Sequence, residues 1–429
     1  MVKKYYIQIA LWTCIGLSLR LTLVPFTMHG QDLLFLNYFP MKFITEGIWD
    51  PYALIATNFS HFNFTYYGPV LFFIMSITDF IIIKLSNPAS LIAMLELSGT
   101  MMGKHFTTVD YVHAFANLGL VKNLFIMKIP YLIFDFLIGG ILLKLATSQK
   151  FAIDTYKLWM LNIVVLHSVY MVGGAYLIPT FFIAAALYAA WKKKPFFCVI
   201  LLGLGGGTVL FPYILILPAC LLLGDNWRKR FLLLLVATVA AILPYVPFYL
   251  SSGDAVFGIF MLSHVQYSGI TKWVLRGIFM VLFSLLCINA VKDSRQTNPA
   301  GKLLYYFITV MFISYAALPI RFRYFIFITP LLALIIPYYK KFGILVFAII
   351  AMLGFQWLYQ RDLQLGLFAP LNPVYFSSLP TIQEIVGRFV NIEIVYKVLA
   401  RALFLSFLAA AAWVWRIKLG NEAKEVMSC

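Results

Sequence analysis

Apolar runs of roughly 18 residues or more recur from one end of this chain to the other, each long enough to cross ~30 Å of hydrocarbon. Nothing else in the sequence constrains the fold as tightly. Inside lipid a backbone must satisfy its own N–H and C=O groups, and a run of that length does so as a helix. The expected fold is therefore all-α: a polytopic integral membrane protein forming a single membrane domain over residues 1–429. With 62% hydrophobic and 11% charged residues, the chain does not have the make-up of two soluble domains. Lys3-Lys4 precede a first run without a small-residue cleavage site, so this run is expected to remain as an anchor.

The formal charge of +17 does not point to nucleic acid, because no Lys/Arg-rich run with interleaved aromatics occurs on a soluble module. The cations cluster between apolar runs, where the positive-inside tendency places them. Cys14, Cys198, Cys220, Cys287 and Cys429 are scattered without a CxxC pair, which argues against a disulfide framework or a metal knuckle. No cofactor and no metal motif are expected, although a divalent cation stays open.

Charge clusters thread the chain. Lys3-Lys4 place the N-terminus inside, so the first span (1–28) exits outward. Later spans are expected near 124–145, 157–175, 176–191, 231–250, 274–291, 303–319, 322–339, 342–358 and 394–415. Lys192 to Lys194 and Arg228 to Arg230 put both ends of 195–224 inside, so that stretch should be two short helices meeting at the Gly203 to Pro212 centre. The sum is about twelve crossings with both termini cytoplasmic. Residues 66–86 are apolar enough to span, but a crossing there would invert every later cation cluster. They are expected in the outer interface instead, as part of a long first external loop (29–123) carrying interfacial helices.

Five segments stand in a telling order: Arg20 followed by Gln31-Asp32; Tyr66-Tyr67-Gly68-Pro69-Val70-Leu71; Lys128-Ile129-Pro130 through Asp135; Gly203 to Pro218; and Arg321-Phe322-Arg323-Tyr324-Phe325 ahead of Pro330-Leu331-Leu332. In order and spacing they resemble the GT-C superfamily of membrane glycosyltransferases, which use polyprenyl- or dolichyl-phosphate-linked sugars. The resemblance implies a catalytic acid opening the first external loop at Asp32 and an aromatic-Pro-Pro-Leu interfacial helix at 66–71, where Gly68 replaces the first proline. It further implies an aspartate in the second span, a short-helix hairpin, and basic residues before a late apolar span. Two features depart from the pattern: the hairpin lacks the lysine often found inside it, and no acid neighbours Asp32.

Transfer from a lipid-phosphate sugar needs a base for the acceptor hydroxyl and cations for the departing phosphate. Asp32 is the candidate base; the alternative is an N-cap for a helix beginning near Leu33. Arg321 and Arg323 are the candidate phosphate clamp, since arginine's fork matches phosphate oxygens, with snorkelling at the interface as the alternative. Arg276, with Lys272, is a further donor-binding candidate. His29, Gln31, Tyr66 and Tyr67 are candidate substrate contacts. The other histidines (His61, His105, His113, His167, His264) show no HxxxH or HExxH spacing. Arg20 and Asp135 are costly against lipid, by about 2.5–3.5 kcal/mol each, so they either pair across spans or serve the site.

The expected partners are a polyprenyl- or dolichyl-phosphate sugar donor, a glycan or lipid acceptor, and membrane lipid. The expected activity is transfer of a hexose such as mannose or glucose on the external or lumenal face. A transporter or lipid flippase, or a non-catalytic subunit of a transferase complex, would suit a similar span count. Transporters, however, commonly carry an internal repeat, and the long first loop has no counterpart in the second half.

Overall fold

The computed structural model describes residues 2–58, 67–86, 89–101, 106–146, 148–253, 270–295, 299–318, 320–359 and 361–419. Among the described residues every regular element is helical. Six helices are long and apolar enough to cross a membrane: Lys3–Leu23, Leu120–Leu145, Trp227–Ser252, Trp273–Asp293, Lys340–Trp357 and Ile392–Lys418. Shorter apolar helices, among them Leu177–Trp191, Pro195–Gly206, Phe211–Leu223, Gly301–Ala317 and Phe322–Ile335, fill the space between them. This is the build of a multi-pass membrane protein.

Burial separates two roles. The long helices keep large apolar side chains outside, such as Phe231, Leu235 and Val239, or Trp273, Val274 and Met280, as helices facing lipid do. The Pro299–Ala317 helix is instead buried almost all round from Leu303 to Phe312, the mark of a central helix. It packs on the Ile270–Asp293 and Ile392–Leu419 helices. One end of this group is tied by Asp293, which pairs with Lys418 at 2.5 Å and Lys302 at 2.9 Å.

Helix α1 spans Val2–Leu23, and a region of shorter helices follows: α2 (Gly30–Glu46), α3 (Pro51–Asn58), α4 (Pro69–Ser86), α5 (Ala89–Met101) and α6 (Thr108–Ala114). Helix α2 is the hub of this region, buried from Asp32 to Met41 and packed on α4 and α5. Helices α7 (Leu120–Lys128) and α8 (Tyr131–Leu145) form one long run, and α9 (Gln149–Met160) packs on α1 and α8.

The span expected at 157–175 is broken. Its chain leaves α9 at Leu161, and the Asn162 side chain accepts from the Val164 and Val165 N–H groups at 2.9 and 3.1 Å. That cap starts a separate short helix, which ends in a π-helical turn at Leu166–Met171. Residues 195–224 form two short helices, Pro195–Gly206 and Ile216–Leu223, with a 3₁₀ turn at Phe211–Leu215 between them.

Candidate active site

The chain from α1 to α2 is held by backbone contacts on three sides. Met28 N–H donates to Leu367 O at 3.0 Å, His29 N–H to Val172 O at 3.2 Å, and Gly30 N–H to Thr108 Oγ1 at 3.4 Å. Beneath them lies Lys128, fully buried at the end of α7 and in no ion pair among the described residues. Its ammonium donates to Tyr170 O at 2.8 Å, Val24 O at 3.3 Å, Met171 O at 3.4 Å and to Thr27 O. These carbonyls end α1 and the π-helical turn, where intrahelical partners run out and the helix dipole is negative. One amino group therefore ties both ends together under the site. Gly173, at φ +91°, completes the approach: a Cβ there would lie 2.8 Å from Leu33 Cβ.

Asp32 stands in the first turn of α2, nearly buried. The helix is capped by His29, whose Nδ1 faces Asp32 N at 3.4 Å, so Asp32 is not the N-cap. Its Oδ2 instead takes two partners: the Arg323 guanidinium, in direct contact, and His29 Nδ1 at 2.8 Å. Burial alone would raise the carboxyl pKa. Arg323, then His29, then Arg321 outweigh that, and they hold it well below the usual carboxylate range.

Arg323 reaches this point because the backbone is extended at Arg321 (φ −80°, ψ 151°) and turns helical at Phe322. Arg321 consequently remains exposed on the rim while Arg323 points inward. The Arg323 guanidinium lies 5.7 Å from both the Tyr176 and Tyr324 ring centres. Its Nε is buried without a hydrogen-bond partner among the described residues, leaving one edge of the fork unfilled there. Tyr67 and Tyr176 meet hydroxyl to hydroxyl at 3.3 Å, and Tyr52 fixes Tyr67 by donating to its carbonyl at 3.0 Å.

The structure thus brings together Asp32, His29, Arg323, Arg321 and Tyr67, with Gln31 half-buried beside them. Arg276 is not joined to them; its guanidinium stacks on Trp273 of its own helix at 5.5 Å. Tyr66, His61, His105 and His264, and the side chain of Lys272, lie outside the described residues. Arg20 and Asp135 resolve into a buried ion pair with Nε–Oδ2 at 2.6 Å. Trp159 Nε1 and Tyr170 OH complete the carboxylate at 2.7 and 2.6 Å, and Arg20 also donates to Met160 O at 2.7 Å.

Two participants escape the sequence reading. His167 comes from the π-helical turn, its Nε2 3.0 Å from Leu363 O and its ring edge-on to Phe322. The second is the segment after the Lys340–Trp357 helix, which covers the site through Leu363 and Leu367 and through Asp362 Oδ2, 3.1 Å from Thr108 N. Gly68 explains a departure noted in the sequence. Its N–H donates to Thr208 O at 2.8 Å, and a Cβ would overlap Gly207 O, so neither a proline nor a side chain fits there.

Among the described residues no set of three His, Cys, Asp or Glu side chains converges to hold a metal ion. What converges is a carboxylate kept anionic, an imidazole on it, and two guanidinium groups, one with an unfilled edge. No protein-family model, curated protein or solved structure matches this chain.

Proposed function

We propose that the protein is a GT-C-like membrane glycosyltransferase that moves a hexose from a polyprenyl-phosphate-type donor to a glycan or lipid acceptor at the external or lumenal face. The observation that carries this reading is the contact of Asp32 with Arg323 across 291 positions of sequence. A transferase of this class needs a proton acceptor and a phosphate-binding cation within one substrate's length of each other. On this reading Asp32 and His29 form the proton-accepting side. Arg323 and Arg321 form the phosphate side, where charge grows as the sugar–phosphate bond breaks. Tyr67 and Tyr176, joined through their hydroxyls, form an aromatic wall beside Arg323.

The chain makes about twelve crossings on this reading, counting the short helices with the long ones, and both termini are cytoplasmic. Helices α2 to α6 then make up the first external loop, with α4 lying in the outer interface. On this reading a lipid-borne donor reaches the site sideways from the bilayer.

The test is turnover by purified protein in liposomes supplied with polyprenyl-phosphate mannose or glucose and a short-chain glycolipid acceptor. Wild type is expected to transfer one of these sugars and Asp32→Asn to lose at least about 100-fold. Full turnover by Asp32→Asn would sink the reading.

A further inference from the structure

The Asp32 carboxylate raises a chemical difficulty. An acid shared between a guanidinium and an imidazole on one oxygen is stabilised as the anion, and an anion so stabilised is a weak proton acceptor. We infer that His29, oriented by Asp32, is the residue that takes the proton from the acceptor hydroxyl; the inference rests on the transferase reading above.

The geometry assigns the roles. His29 Nδ1 lies 2.8 Å from Asp32 Oδ2 and 3.4 Å from the Asp32 N–H, and one ring nitrogen cannot donate to the first and accept from the second; the shorter, charge-assisted contact is the stronger, so Nδ1–H donates to the carboxylate and the long capping contact is given up. The lone pair is then on Nε2, and no described residue hydrogen-bonds that atom. The His29 side chain is 13% exposed, and on this inference Nε2 is the atom that meets an incoming hydroxyl. A carboxylate behind an imidazole both fixes the ring and stabilises the imidazolium that forms.

The step balances without any further reactant. The acceptor O–H gives its proton to His29 Nε2 while the acceptor oxygen bonds to the anomeric carbon. The bond from that carbon to the donor phosphate breaks, and its electron pair leaves on the phosphate oxygen, facing Arg323 and Arg321. His29 then returns the proton to water or to the departing phosphate. The charged and titratable groups around His29 are Asp32 on α2, Arg323 and Arg321 from the late segment, and His167 from the π-helical turn. Asp362 lies at the edge, against Thr108.

Two measurements on the full chain test this. In ¹⁵N spectra of histidine-labelled protein, with the His29 signal identified by its loss in His29→Gln, wild type should show the neutral Nδ1–H tautomer. Asp32→Asn should lose it. An Nε2–H tautomer in wild type overturns the proposal whatever the activity. In the liposome assay His29→Ala should lower kcat by about 10²–10⁴-fold with little change in donor KM. It should also recover turnover when imidazole is added. A His29→Ala protein that keeps wild-type kcat defeats this proposal while leaving the transferase reading intact. A wild type inactive with every polyprenyl-phosphate hexose defeats both.

Discussion

Asp32 Oδ2 carries Arg323 and His29 together, and the consequences appear in pH dependence. A carboxyl held below its ordinary value, near 3.9, contributes its full stabilisation above that value and loses it as pH falls through the depressed one. Thermal unfolding in detergent should therefore find Asp32→Asn less stable than wild type at neutral pH, with the gap closing under strong acid. A gap that stays constant across that range would mean the pairing contributes nothing. Asp32, His29 and the two arginines were legible in the sequence because charge is scarce in so apolar a chain, and each scarce charge needs a reason. His167 was not, since a lone histidine inside an apolar run carries no pattern. The fate of Arg276 was equally hidden: an arginine near a span end reads the same whether it faces a site or stacks on a neighbouring Trp273.

At the scale of elements, buried cations set how helices end and meet. Lys128→Met would leave the carbonyls of Val24, Thr27, Tyr170 and Met171 without their shared donor. A buried group left unpaired costs about 1–3 kcal/mol, so this variant should lose about 3 kcal/mol or more, read as unfolding in mixed micelles. Unchanged stability would contradict the tie proposed between α1 and the π-helical turn. The Arg20–Asp135 pair follows a different rule. Removing either partner alone strands a buried charge, at about 3–5 kcal/mol, whereas replacing both with apolar or amide groups is expected to cost far less than the sum. A double variant as unstable as the two singles added together would show that the ions do not act as a pair. The hairpin at 195–224 was readable from its flanking cations and its central glycines. The break within 157–175 was not: Asn162 is a single polar residue in an apolar run, and only its bonds to Val164 and Val165 reveal that it starts a new helix.

Over the whole molecule, charge placement gives a topology with testable sides. In a background lacking the native cysteines, a cysteine at Lys193 should react with an impermeant reagent only after the membrane is opened. One at Asn372, in the external cap, should react in intact vesicles of native orientation. Labelling of both from the same side would overturn the threading. The all-helical, multi-pass build was legible from apolar length alone. The cap over the site was not, because residues 361–387 are short mixed turns whose place is set by contacts with Met28, Thr108 and His167, far away in sequence.

On the transferase reading one site has two sides, a proton side at Asp32 and His29 and a phosphate side at Arg323. Donor affinity separates them most directly: binding of a polyprenyl-phosphate hexose to protein in nanodiscs, compared among wild type, Arg323→Gln and Asp32→Asn. Loss of a charged hydrogen-bond donor should weaken Arg323→Gln by about tenfold or more. Asp32→Asn, which frees the guanidinium, should bind the donor at least as tightly as wild type. Equal loss of affinity in both variants, or wild-type affinity in Arg323→Gln, would contradict it.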